Sequence, residues 1–284
     1  QMWECPDFFR LDGKQVLFVS PQEMSPIGLE FHAGNGTVCL IGSYDAESNQ
    51  FTRESVQAID YGIDFYAPQT VEPQPRKPRA ARRIMIGWMQ NWNTLSCKPR
   101  NCRWFGQMSI PRELSIHDGR LYQNPVRELE QYRCHPVSYR NVLLSGETSL
   151  NGVEGRTIDM TVEIRPAGRE LYHCFRIHLA GDGEHVTSIR YRPDTSVLKT
   201  NRTRSGSNAD VVHTRSLPVH PRDGRLKLRI LMDRFSVEIF ANDGETAASM
   251  AIFTRQEASA ISFDAEGPVR MDVEKYDINM DQAH

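Results

Sequence analysis

The sequence lacks the cysteine and histidine patterns that build metal and redox sites. Six cysteines are scattered through its 284 residues, at Cys5, Cys39, Cys97, Cys102, Cys134 and Cys174. No two of them form a C-x-x-C pair, and no H-E-x-x-H motif occurs among the nine histidines. A bridge or a metal site at Cys97 and Cys102 stays open, but the sequence offers no opposing pair of ligands. We therefore expect no metal and no cofactor, and scattered thiols of this kind suit the reducing cytoplasm.

The sequence also has neither a long apolar run nor a strong net charge. No run approaches the roughly 20 residues that a membrane-spanning helix needs. Lys plus Arg number 34 and Asp plus Glu number 36, so the formal charge of −2 provides no overall attraction to nucleic acid or acidic membranes. The basic segment EPQPRKPRAARR (Glu72 to Arg83) fits either a solvated loop or a phosphate or nucleic-acid patch, and the lack of interleaved aromatic residues favours the loop. We expect neither nucleic acid nor a membrane as a partner.

Short runs of strand-forming residues fill the first 125 residues or so. Examples are QVLFVSP, GTVCLIGSYD and RRIMIGWMQNW, and the segments between them carry Asp-Gly, Asn-Gly or Pro. Runs of this kind, bounded by turn residues, predict β-strands. Their recurrence at about 40 to 45 residues is typical of the blades of a β-propeller.

The pattern changes after the segment NPVRELEQYR (Asn124 to Arg133), which is the best helical candidate in the chain. Beyond it, runs such as TIDMTVEIRP, RLKLRILMD and FSVEIFAND alternate apolar and polar residues. Strict alternation predicts strands with one buried face, and two such sheets packed together form a β-sandwich. We therefore predict an all-β chain with a propeller over residues 1–131 and a sandwich over residues 132–284.

One carboxyl group stands out at the start of the chain. The stretch WECPDFF places Glu4 between the indole of Trp3 and a Cys5-Pro6 turn. A carboxyl group that is partly desolvated at a strand end favours its protonated form and suits proton donation to a leaving oxygen. The alternative is a solvated carboxylate with no chemical role.

Five motifs together carry a resemblance to a known family. They are WECPDFF (Trp3 to Phe9), DYGIDFYAPQT (Asp60 to Thr70), RRIMIGWMQNW (Arg82 to Trp92), WFGQMSIPREL (Trp104 to Leu114) and MDRFSVEIFANDGE (Met232 to Glu245). In this order the motifs resemble those of glycoside hydrolase family 32, which contains invertases, levanases, inulinases and sucrose-6-phosphate hydrolases. The resemblance implies cleavage of terminal β-fructofuranosyl bonds in sucrose, sucrose 6-phosphate or fructans by a retaining mechanism.

The resemblance also assigns roles to three residues. Glu4 matches the general acid/base, Asp64 matches a carboxylate in the fructose pocket, and Trp88 matches an aromatic residue that lines that pocket. A carboxylate can accept hydrogen bonds from sugar hydroxyls, and an indole can pack against the apolar face of a furanose ring. For Asp64 and Trp88, a purely structural role is the alternative. The expected ligand is a fructose-containing saccharide.

The sequence departs from the family in lacking its nucleophile. The upstream W-M-N-D-P-N-G and R-D-P motifs of the family do not occur here. The resemblance implies a five-bladed propeller followed by a β-sandwich, in which the acid/base motif opens the third blade. The chain therefore resembles blades three to five only, and the missing blades belong either to a longer enzyme or to a separate chain. We expect the 284-residue chain alone to be inactive. The alternative function is a non-catalytic carbohydrate-binding or assembly module derived from such an enzyme.

Overall fold

The computed structural model describes residues 2–73, 82–89, 92, 106–207 and 211–282. Within these ranges the chain is almost entirely β-structure, as predicted. Cys97 and Cys102, where a bridge or metal site was left open, and most of the basic segment lie outside the described residues. No helix in the described ranges combines the length and the apolar character that crossing a membrane requires.

Two four-stranded antiparallel sheets form the first part of the chain, each with its strands in sequence order. The first sheet contains β1 (Trp3–Leu11), β2 (Lys14–Pro21), β3 (Val38–Asp45) and β4 (Gln50–Ala58). The second contains β5 (Tyr66–Val71), β6 (Arg83–Trp88), β7 (Arg112–His117) and β8 (Arg120–Pro125). A shared apolar core that includes Phe18 and Ile41 of the first sheet and Met85 and Leu121 of the second lies between them.

Asp-Gly turns close the outer hairpins of both sheets. Asp12 and Gly13 join β1 to β2 with φ angles of 47° and 79°, and Asp118 and Gly119 join β7 to β8 with 50° and 71°. A two-residue hairpin turn with positive φ at both positions matches the right-handed twist of the strands, and Asp-Gly adopts it at low cost. These dipeptides are the turn signals that the sequence predicts.

The described residues form two blades where three were predicted. Sheet one runs from Trp3 to Ala58 and sheet two from Tyr66 to Pro125, so together they account for the strands before the sandwich in the described ranges. The prediction assumed a spacing of about 40 to 45 residues per blade. Both blades are longer than that because long connections separate β2 from β3 and β6 from β7.

A 3₁₀ helix, Arg127–Tyr132, leads from the second blade into a β-sandwich. The six-stranded sheet has the order β17-β16-β15-β10-β19-β9, and the five-stranded sheet has the order β14-β13-β12-β11-β18. The strands are β9 (Arg133–Leu144), β10 (Ile158–Pro166), β11 (Cys174–Gly181), β12 (Val186–Arg192), β13 (Val197–Arg204), β14 (Thr214–Pro218), β15 (Leu226–Asp233), β16 (Ser236–Ala241), β17 (Thr246–Ala251), β18 (Ala260–Glu266) and β19 (Val269–Ile278). Two short 3₁₀ helices, Asn242–Gly244 and Met280–Gln282, complete the described secondary structure. The predicted boundary after residue 131 falls within the first 3₁₀ helix, and separate folding of the two parts stays a prediction.

The connection between the two blades runs along β17 of the sandwich. The amides of Tyr61 and Ile63 donate to the carbonyls of Ala247 (2.9 Å) and Ser249 (2.8 Å). A Cβ atom on Gly62 would lie 2.0 Å from the Ser249 carbonyl oxygen, so this close backbone approach requires glycine. The side chains of Tyr61 and Ile63 belong to the sandwich core. Blades and sandwich are therefore joined by backbone pairing as well as by apolar packing.

A fully buried arginine lies at the same junction. Arg112 of β7 donates to Glu238 of β16 (2.6 Å), to Asp60 (2.9 Å), to Gln123 (2.6 Å) and to Ser249 (2.5 Å). The Arg112 side chain is 0% exposed, and those of Asp60 and Glu238 are 0% and 2% exposed. One cation is thus shared by an acidic side chain beside the blades and one in the sandwich.

Replacing Arg112 with Met should destabilise the chain by about 3 to 5 kcal/mol, because two buried carboxylates lose their counter-ion. Urea unfolding of the purified chain measures the change. Arg127→Met is the matched control, since Arg127 is exposed and pairs with Glu113 at the surface; its expected cost is about 0 to 1 kcal/mol. Equal costs for the two variants would contradict a central role for Arg112.

Candidate active site

Glu4 lies at a β-bulge near the start of β1. Glu4 pairs with Ser20 of β2, but the next paired residue, Asp7, is opposite Phe18, so β1 contains one extra residue. Cys5, within the bulge, has a φ angle of 47°. Bulges change the direction of a side chain relative to the sheet and recur beside active sites. Glu4 is partly buried.

The hydroxyl of Tyr66, the first residue of β5, contacts this carboxyl group. It donates to Glu4 Oε2 at 2.8 Å and lies 3.0 Å from the carbonyl oxygen of Ser20. The Tyr66 side chain is buried, and burial together with the neighbouring Glu4 carboxylate raises the pKa of its phenol. Tyr66 is therefore a proton-bearing donor at neutral pH.

Polar contacts to β5 also hold the bulge. Asp7 Oδ2 accepts hydrogen bonds from the amide of Thr70 (2.7 Å) and from its hydroxyl (2.6 Å). Gln69 Nε2 donates to the carbonyl of Cys5 at 3.1 Å. Both blades thus contribute to the position of Glu4, because β1 lies in the first blade and β5 in the second.

Trp88 lies on the neighbouring strand, close to Tyr66. It is the last residue of β6 and is the register partner of Tyr66. Its ring packs edge to face against Trp92, with centroids 5.4 Å apart, and the Trp92 ring is 6.2 Å from that of Tyr66. Glu4, Tyr66, Trp88 and Trp92 form one group of side chains, which we call the acid–aromatic cluster.

Two members of the acid–aromatic cluster were missed by the sequence reasoning. Trp92 belongs to the same RRIMIGWMQNW motif as Trp88, and its 44% exposure makes it accessible to a ligand. The sequence signal for Trp92 was its place as the second tryptophan of that motif. Tyr66 follows Asp64 by two residues in a single motif, and the sequence offered no sign that it would meet Glu4.

Asp64 occupies a different environment from the acid–aromatic cluster. Its carboxylate is 0% exposed, forms an ion pair with Arg202 of β13, and accepts a hydrogen bond from the amide of Ala251 at 2.8 Å. These contacts join the connection between the blades to the sandwich. They give Asp64 a structural role, and its contact with fructose stays a prediction.

The acid–aromatic cluster can supply a proton and a sugar-packing surface. A retaining glycosidase needs a second carboxyl group about 5 to 5.5 Å from the first. The Asp7 and Asp64 carboxylates are already bonded to Thr70 and Arg202. In the described ranges, no group of three or more His, Cys, Asp and Glu side chains could hold a metal ion.

Solved structures that share this fold are propeller and sandwich glycosidases. The exo-inulinase of Aspergillus awamori matches with a TM-score of 0.81 at 23% identity, covering 98% of this chain and 57% of that one. A mutant Bombyx mori GH32 beta-fructofuranosidase in complex with sucrose matches with a TM-score of 0.76 at 26% identity, covering 98% of this chain and 54% of that one.

Sequence comparison identifies the family. Residues 1–125 match the Glycosyl hydrolases family 32 N-terminal domain, and residues 128–279 match the Glycosyl hydrolases family 32 C terminal domain. The chain belongs to glycoside hydrolase family 32. It is 30% identical to a sucrose-6-phosphate hydrolase of Staphylococcus xylosus and 33% identical to a raffinose invertase of Escherichia coli. These alignments cover 99% and 92% of this chain but 55% and 52% of the relatives, so the chain spans about half the length of the curated relatives that it matches.

Replacing Asp64 with Asn should lower the free energy of unfolding by about 3 to 5 kcal/mol, because it leaves the buried Arg202 guanidinium without a counter-ion. Urea unfolding measures the loss. The matched control is Asp264→Asn, which removes a partly exposed pair with Arg176 and should cost about 0 to 1 kcal/mol. An Asp64→Asn chain with unchanged stability and lost fructose binding would instead support the pocket role.

Proposed function

We propose that the chain is the acid/base half of a β-fructofuranosidase that cleaves terminal β-fructofuranosyl bonds in sucrose, sucrose 6-phosphate or fructans. The observation that carries the proposal is the acid–aromatic cluster, where the Glu4 carboxyl group is bonded to Tyr66 beside two indole rings. Similarity to sucrose-6-phosphate hydrolase and invertase sequences supports this substrate class.

In this proposal Glu4 transfers the protons of a retaining mechanism. It first donates a proton to the glycosidic oxygen, so that the aglycone leaves as a neutral alcohol while a carboxylate nucleophile bonds to the fructosyl carbon. The resulting Glu4 carboxylate then removes a proton from the water that releases fructose. Trp88 and Trp92 pack against the apolar face of the sugar ring.

The nucleophile in this proposal comes from the remainder of the propeller, in the same or in a separate polypeptide. The first blade presents an apolar surface on which a further blade can pack: Phe8, Tyr44 and Val56 are 46%, 38% and 40% exposed. The ring centroid of Phe8 lies 5.3 Å from that of Tyr44 and 6.0 Å from that of Phe51, so these three rings form one aromatic group on this surface. Exposed apolar groups of this kind are typical of protein contact surfaces.

Replacing Glu4 with Gln in the completed enzyme should slow sucrose hydrolysis by about 10² to 10⁴-fold, because general acid/base catalysis contributes that much. Initial rates of fructose release measure the effect. A fructoside with an activated leaving group needs little protonation, so its first step should recover much of the rate. The control is Glu47→Gln, at an exposed position in the turn between β3 and β4. An unchanged sucrose rate in Glu4→Gln would remove Glu4 from the mechanism.

The 284-residue chain alone should release no fructose at an enzymatic rate, because an isolated acid cannot form the covalent fructosyl intermediate. Adding a polypeptide that carries the remaining blades should restore both activity and solubility. The measurement is fructose release by the purified chain, with its intact mass confirmed, before and after that addition. Robust turnover by the chain alone would mean that another acidic residue, such as Asp7 or Asp60, is the nucleophile.

The alternative function is a non-catalytic carbohydrate-binding or assembly module. Titration calorimetry of the chain with fructose and sucrose separates the two functions when it is combined with the activity measurement. Sugar binding that depends on Trp88, without activity after addition of the remaining blades, would favour the module.

A further inference from the structure

The Tyr66 hydroxyl connects the side chain of Glu4 to the backbone opposite it. Its contacts are to Glu4 Oε2 at 2.8 Å and to the Ser20 carbonyl at 3.0 Å, and Ser20 is the register partner of Glu4. A phenol has one proton, so the two contacts form a three-centre hydrogen bond. Ser20 also accepts at its hydroxyl a hydrogen bond from the amide of Ala67, at 3.1 Å. Tyr66 and its neighbour therefore clamp the paired residues Glu4 and Ser20.

The sandwich holds the segment that carries Tyr66. Two residues before Tyr66, the amide of Asp64 donates to the Ser249 carbonyl at 3.1 Å, and its carboxylate accepts from the Ala251 amide at 2.8 Å. Arg202 donates both to Asp64 and to the Ala251 carbonyl, the latter at 2.8 Å. The Arg202 and Asp64 side chains are each 0% exposed, so this ion pair is shielded from bulk solvent.

We propose that Tyr66 is the positioning residue of the acid/base Glu4, and that Arg202 of the sandwich holds Tyr66 in place through Asp64. The inference rests on the proposed function of Glu4. A glutamate side chain has three rotatable bonds, and a hydrogen bond to Oε2 fixes the carboxyl group so that Oε1 is the atom for proton transfer. The sandwich then contributes to catalysis without touching the substrate.

The first test compares two Tyr→Phe variants that each lose one hydrogen bond to a glutamate. Tyr66→Phe loses the bond to Glu4, whereas Tyr61→Phe loses a bond of 2.7 Å from Tyr61 to Glu30, away from the acid–aromatic cluster. In the completed enzyme we expect Tyr66→Phe to lower kcat/KM for sucrose by roughly 10- to 100-fold, as displaced catalytic groups do. For an aryl β-fructofuranoside with an activated leaving group, kcat/KM should stay near the wild-type value.

This dependence on the leaving group separates positioning from simple destabilisation. A structural role for Tyr66 would lower kcat/KM equally for both substrates, and so would overturn the proposal. Tyr61→Phe should leave both values unchanged. An unchanged sucrose rate in Tyr66→Phe would also overturn it.

A second measurement tests the position of Glu4 without using activity. In ¹³C-glutamate-labelled chain, the side-chain carboxyl resonance of Glu4 is identified by its loss in Glu4→Gln. Tyr66→Phe should move this resonance and Tyr61→Phe should not; an unmoved resonance in Tyr66→Phe would overturn the proposal. If the wild-type completed enzyme hydrolyses no fructoside, the proposed function fails, and this measurement still decides whether Tyr66 positions Glu4.

A double-mutant cycle tests the contribution of the sandwich. Arg202→Lys keeps the buried charge but loses the planar contact with Asp64 and Ala251, and Asp64→Asn is the second variant at the same ion pair. Either change should move the Glu4 resonance in wild-type chain and have little further effect in Tyr66→Phe, because the two residues act in series. Equal shifts in both backgrounds would mean that the sandwich does not act through Tyr66.

Discussion

The buried guanidinium of Arg112 is the interaction on which the arrangement of blades and sandwich depends. It forms ion pairs with both Asp60 and Glu238, and its planar group lies 4.6 Å from the ring centre of Phe65 and 5.1 Å from that of Phe240. Removing ions from water costs several kcal/mol each unless every partner is in place. The network therefore favours a single docking of the sandwich on the second blade.

The connection between the blades links the Arg112 network to Glu4. Asp60 at its start belongs to the Arg112 network, Asp64 pairs with Arg202, and Tyr66 at its end bonds to Glu4. Seven consecutive residues, Asp60 to Tyr66, thus contact the sandwich at one end and the acid–aromatic cluster at the other. In our proposal this makes the sandwich a part of the catalytic geometry, in addition to its role in stability.

The fold was more predictable from sequence than the site because its signals are local. Alternation along Ile158–Pro166 and the Asp-Gly turns report burial and turn geometry within a few residues. The described ranges contain two blades rather than the three expected, because the expectation rested on an assumed repeat length and not on a local signal. Asp64 shows the limit for the site: a carboxylate in a family motif looks the same whether it faces a sugar or Arg202, and Arg202 is 138 residues away. Tyr66 and Glu4 are 62 residues apart, so only the strand pairing brings them together.

A crystal structure of the completed Glu4→Gln enzyme with sucrose bound tests our central proposal most directly, which is that the acid–aromatic cluster binds the fructosyl group. The account predicts the glycosidic oxygen within hydrogen-bond distance of the side chain at position 4, an indole of Trp88 or Trp92 against the furanose ring, and Asp64 still paired with Arg202. Sucrose bound away from Glu4 and both indoles would contradict it.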